Sequence, residues 1–139
     1  LKGFSLELRY GRYAPAYFQS IARRIFPLST REWSTLLDQA MEEGQLSRPD
    51  VGELLQTDLV LRGQRWEDKT DVYLVVEISW GVGPGDVERA AQRAKLLAQL
   101  GTPTIPVAAG KAITAEAADL ARKLGAWLVM DGRAIPPAG

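Results

Sequence analysis

The sequence contains neither cysteine nor histidine. Those absences remove disulfides, thiol nucleophiles, imidazole bases and the usual zinc ligand sets, so any metal bound here must be held by oxygen. Neither sign of charge is in excess: 17 basic residues balance 17 acidic ones, and only a local basic patch can serve a polyanion. No apolar run approaches the ~20 residues of a membrane helix. There is also no charged start followed by an apolar middle, the mark of a leader. The expectation is a cytoplasmic protein without membrane contact. The first residue is Leu1 rather than methionine, which points to a piece of a longer polypeptide whose flanking domain or protein partner lies outside this sequence.

What is present suffices for a core. At 139 residues and 46% hydrophobic, the chain has the size of one domain that needs no covalent staples. That domain is expected over 1–132, with a loose Pro-rich tail over 133–139.

Periodicity predicts an α/β order. The opening residues 1–13 fit a strand through Phe4, Leu6, Leu8 and Tyr10, or a helix through Leu6, Tyr10, Tyr13 and Tyr17. Gly11 and Pro15 favour starting the helix near Ala14. A short strand is expected at 24–28. Ser29 with Glu32 and Ser47 with Asp50 form two capping-box signatures ahead of apolar repeats, predicting an inserted helical hairpin over about residues 29–56. Strands at 57–62 and 71–80 then close a hairpin. A helix capped by Asp86, a strand at 104–108, a helix from Thr114 to Gly125 and a strand at 126–130 complete the pattern.

Two acids break the apolar rule. The run Val72 to Ile78 is apolar on both faces, as in a covered central strand, except at Glu77. An ionised carboxylate out of water costs several kcal/mol, so Glu77 must be protonated, paired with a base, or bound to a cation. Asp58 lies beside Leu59, Val60 and Leu61. A four-residue loop 66–69 sets Asp58 opposite Glu77, Val60 opposite Val75 and Arg62 opposite Tyr73. Opposed carboxylates are unfavourable unless a cation lies between them, and Mg²⁺ or Mn²⁺ supplies one. Equally, Glu77 can pair with Arg62, Arg89 or Arg93, and Asp58 can hydrogen-bond the chain at the strand's start.

These residues resemble the PD-(D/E)XK nuclease superfamily, and in particular its archaeal Holliday-junction resolvase branch, over most of the chain apart from the inserted helices. Lys2, Gly3 and Glu7 look like the opening Lys-Gly and a glutamate that lends a metal ligand. Asp58 stands at the strand aspartate, and Glu77, Ile78 and Ser79 occupy the E-x-K tripeptide. The resemblance implies a restriction-endonuclease-like mixed central sheet flanked by helices. It also implies a phosphodiesterase acting on DNA, with Mg²⁺ held by Glu7, Asp58 and Glu77, in a fold that often pairs its sites as a homodimer. Ser79 departs from the pattern, since a hydroxyl cannot replace the ammonium that orients water and stabilises the transition state. Arg62, Arg89, Arg93, Lys95 and Lys111 are candidates to replace it. The alternative is a catalytically inactive interaction or nucleic-acid-binding module on the same fold.

Other clusters carry weaker signals. Arg89 and Arg93 are one helical turn apart, facing either a phosphate or Asp86 and Glu88. Arg9, Arg12, Arg23 and Arg24, with Tyr10, Tyr13 and Tyr17 among them, form either a phosphate-contacting surface or a solvated face. Gly81, Gly83 and Gly85 precede a helix start, as in nucleotide-binding loops, but the dinucleotide fingerprint is absent and Asp86 competes with an anion. Trp33, Trp80 and Trp127 are expected in the core or at a subunit contact, with Trp66 exposed.

Overall fold

The computed structural model describes residues 2–138, with side chains from residue 5 onward. It is an α/β structure built on one mixed six-stranded sheet whose spatial order follows the sequence, β1 through β6. The strands are β1 (Arg23–Pro27), β2 (Leu59–Gln64), β3 (Asp71–Val82), β4 (Thr104–Ile113), β5 (Trp127–Met130) and β6 (Arg133–Ile135). The helices are α1 (Lys2–Arg12), α2 (Ala14–Tyr17), α3 (Thr30–Glu42), α4 (Arg48–Leu54), α5 (Pro84–Leu97) and α6 (Ala115–Leu124). β1, β2 and β3 pair antiparallel, β3–β4–β5 run parallel through the crossovers α5 and α6, and β6 returns antiparallel.

Strand alternation divides the apolar side chains between two layers. Leu74, Val76 and Ile78 of β3 pack with Leu6, Tyr10 and Ala14 under α1 and α2. Val60 and Val75 point the other way, against Leu37, Leu54, Ala94 and Leu97 of α3, α4 and α5. Val87 of α5, Ala117 and Ala121 of α6, and Leu128 form a third cluster on that side. Both faces of the sheet are covered, which is why β3 reads as a continuous apolar run.

The opening segment is helical from Lys2, earlier than the start near Ala14. The i, i+4 pair Leu6 and Tyr10 is buried, and that face carries the helix up to Gly11 and Arg12 at its end. Both capping boxes form. The Ser29 hydroxyl accepts from the Glu32 amide while the Glu32 carboxylate accepts from the Ser29 amide, and Ser47 with Asp50 does the same. Asp86 is not the cap of α5. Gly83 takes that position, and Asp86, three residues on, accepts the Gly83 amide at 2.9 Å. The carboxylate therefore already fills the place a phosphate would take in a glycine-rich loop. The tail is shorter than expected, because residues 133–135 pair with β5 after a turn at Asp131 and Gly132, both at positive φ.

Candidate functional site

The β2–β3 hairpin closes through the loop 66–69, where the Arg65 amide donates to the Thr70 carbonyl and the Lys69 amide to the Arg65 carbonyl. The ladder pairs Val60 with Val75 and Arg62 with Tyr73, the expected register, and ends at Leu59 with Val76. Asp58 is thus not a strand residue. It lies in a bend just before β2, and its Oδ2 accepts the Ile78 amide at 2.8 Å, serving the first amide past the end of the ladder. The chain turns there because the Thr57 hydroxyl and amide both bond back to the Leu54 carbonyl of α4.

Glu77 lies beside this bend, on the α5 face of β3, and is only 2% exposed. Its Oε1 accepts from Arg93 Nη1 at 2.8 Å, and Arg89 Nε stands 4.0 Å away. Arg93 is itself buried, and its Nε and Nη2 grip the Glu53 carboxylate at 2.7 Å. Its Nη1 also reaches the Gln56 carbonyl at 3.4 Å. The other oxygen of Glu77, Oε2, is buried without a hydrogen-bond partner. Burial, reinforced by the negative charge of Asp58, pushes the Glu77 pKa up to about 7 against the pull of Arg93 and Arg89.

Glu7 joins from α1. Burial raises its pKa first, and the charge of Asp58 and a side-chain hydrogen bond with it raise it further. Asp58 is therefore the middle member of a chain of acids, acting on Glu7 on one side and on Glu77 on the other. The donors are all oxygen and one buried oxygen has no partner, so the chemistry suits a hard cation. Among the described residues, no three acidic side chains are gathered in ready-made metal-binding geometry.

Of the other candidates, Arg89 and Arg93 come to the cluster, although Arg89 is shared with Asp86 at 2.6 Å. Arg62 does not. It is exposed and sits four residues along β2 from Asp58, opposite Tyr73. The Ser79 hydroxyl donates to the Gly81 carbonyl at 2.9 Å, a local bond within the strand end. Lys111 is bound to Asp131 at 2.9 Å, and Lys95 is exposed. The side chain of Lys2 lies outside the described residues. The expected N-terminal basic surface is divided: Tyr10 is buried in the core, Arg9 bonds the Tyr17 hydroxyl, and Arg23 and Arg24 belong to β1. Trp33 is buried and Trp127 half-buried, while Trp66 and Trp80 are both exposed.

Two participants escaped sequence reasoning. Glu53 belongs to α4, 40 residues from the arginine it binds, and nothing local distinguishes it from a solvated helix acid. Tyr10 sends its hydroxyl through the core to the carbonyls of Gly110 and Val129 at 3.2 and 3.1 Å, and also receives the Gly132 amide. No family model, curated protein or solved structure matches the chain.

Proposed function

We propose that this chain is a metal-dependent phosphodiesterase of nuclease type, acting on DNA at the Glu7–Asp58–Glu77 cluster. One observation carries the reading. Two arginines approach Glu77, one of them at 2.8 Å, and the pKa of its carboxyl still rises to about 7. Burial is the main cause of that rise and the charge of Asp58 the second, so the ionised carboxylate is costly here even beside two arginines, and one of its buried oxygens has no partner. A divalent cation would offset that cost, and in phosphodiester hydrolysis it would also acidify water and neutralise the phosphate. Glu7, Asp58 and Glu77 are the residues that would hold it. The order α1, β1, β2, β3, α5, β4 agrees with the restriction-endonuclease-like core that the resemblance implies, with α3 and α4 as the insertion. Arg89, half-exposed at the rim, is the cation best placed to meet a phosphate.

A second reading has its own support. The direct Arg93–Glu77 contact, braced by Glu53, makes an internal ion-pair network of the sort that lets a nuclease-like fold persist as an inactive interaction module. Calorimetric titration of Mn²⁺ and Mg²⁺ into the wild type, Asp58→Asn and Glu77→Gln separates the two, followed by cleavage assays on labelled branched, duplex and single-stranded DNA. Binding that either substitution abolishes, with metal-dependent cleavage, establishes the phosphodiesterase. A wild type that takes up no metal at millimolar concentration refutes it and leaves the module.

A further inference from the structure

A second surface lies at the opposite sheet edge from β6 and shares nothing with the carboxylates. β1 is an edge strand, and its Phe26 side chain is 63% exposed. Two open grooves flank it, of about 330 and 370 Å³, and Arg24 and Phe26 line both. The first is completed by Pro15, Gln19 and Trp66. Trp66 is 52% exposed, and its indole N–H is anchored to the Gln19 carbonyl at 2.7 Å, so the ring is held in place. The Arg23 guanidinium lies over that ring, 5.5 Å from its centroid, and its Nε has no acceptor. In the second groove Arg62 stands directly across the ladder from Phe26.

Among the described residues Arg23, Arg24 and Arg62 form no ion pair. The second groove also holds two acids, Glu32 and Asp71, neither of them in ion-pair contact with these arginines, although the charge of Arg62 helps to lower the Glu32 pKa behind its bonds to Ser29. Glu32 is committed to the α3 cap, and Asp71 sits across from Gln64 at the hairpin's end. Presented aromatic rings next to unpaired guanidinium groups complement a chain of flat bases joined by phosphates.

A bare strand edge also invites an extended peptide, but this one is blunted. A bulge separates Arg23 from Phe26, Arg24 lies at φ 52°, and Pro27 has no amide to donate. We therefore propose that the β1 edge is a binding site for single-stranded nucleic acid, with bases stacked on Phe26 and Trp66 and phosphates on Arg24 and Arg62. It is distinct from the acidic cluster. Arg62 and Asp58 are four residues apart on the chain, roughly 13 Å at about 3.3 Å per residue.

Fluorescence anisotropy tests the site, using labelled oligo-dT and oligo-rU of about 20 nucleotides at low salt with chelator present to prevent cleavage. Wild type is expected to bind single strands more tightly than duplex. A preference between deoxyribose and ribose supports the same site and identifies the sugar it reads. Phe26→Ala should weaken binding roughly 5- to 150-fold, the range for one lost stacking partner, and Phe26→Trp should restore it. Arg24→Asn, which suits the left-handed backbone, should weaken binding and lower the salt slope by about 1. Arg122→Gln, at an exposed arginine of α6 remote from both sites, should bind like the wild type. The proposal is overturned if the wild type binds no single strand, if duplex is preferred, or if both groove variants bind unchanged. Equal weakening in Arg122→Gln would also overturn it, by showing that any surface arginine serves as well.

Discussion

Replacing Glu77 with glutamine should stabilise the protein at pH 8 while leaving it nearly unchanged at pH 4.5. The folded state raises this carboxyl from its ordinary 4.5 to about 7. A raised folded-state pKa in an acid means that the native protein holds its proton longer than the unfolded chain does. Between those two values the native state binds more protons, so stability falls as pH rises. At about 1.4 kcal/mol per pH unit, the gap amounts to ~3 kcal/mol lost between pH 4.5 and pH 7. Glutamine imitates the protonated acid in shape and can still accept from Arg93, which keeps Glu53 as its charged partner. Urea unfolding followed by tryptophan fluorescence from pH 4.5 to 8 measures both curves. The wild type should decline through this window, and Glu77→Gln should lack that decline, leaving the smaller slope due to Glu7. Should Glu77→Gln prove less stable than wild type at pH 8, attraction to Arg93 would outweigh burial and the argument that the ionised carboxylate is costly here would collapse.

Arg93→Met should cost ~3–5 kcal/mol at pH 8, since it strands a buried acid, whereas Glu53→Gln should cost under ~1.5 kcal/mol because that carboxylate is 45% exposed. Urea midpoints check both, and equal losses would refute this division. Tyr10→Phe should cost ~1–3 kcal/mol by leaving the buried Gly110 and Val129 carbonyls without the hydroxyl, and thermal unfolding by calorimetry reads it directly.

Local chemistry was legible wherever it was complete within a few residues. The two capping boxes, the four-residue hairpin loop with its register, and the glycine after α6 were all visible because each uses neighbours in sequence. The first helix was not, since period 2 and period 3.6 coincide on Leu6 and Tyr10, and only burial against β3 decides between them. β6 was missed for a related reason: Arg133–Ile135 has no alternation of its own and is a strand only because β5 offers an edge. At the site, the odd acid in the apolar strand identified Glu77, but not which of three arginines answers it. That choice depends on how α5 crosses β3, and Glu53 enters only because α4 packs beside α5.

The positions of the acids follow from how tightly the sheet's parallel centre is locked. Gly110 on β4 lies so close to β3 that a Cβ there would meet the Ser79 carbonyl oxygen, so only glycine lets the two strands run side by side past Glu77. Its carbonyl, with that of Val129, takes the Tyr10 hydroxyl, which ties α1 to β4 and β5 at one point. Glu7 is one turn before Tyr10 on the same helix, and neighbours at i, i+3 share a face. The tyrosine that anchors α1 therefore also brings Glu7 to Asp58, whose own place is fixed by the Ile78 amide. Like charges would otherwise drive Glu7 and Asp58 apart. Rigid packing therefore holds Glu7 near Asp58 and Asp58 near Glu77, and it is this pairwise proximity in a buried setting, rather than any single residue, that raises the carboxyl pKa values of Glu7 and Glu77.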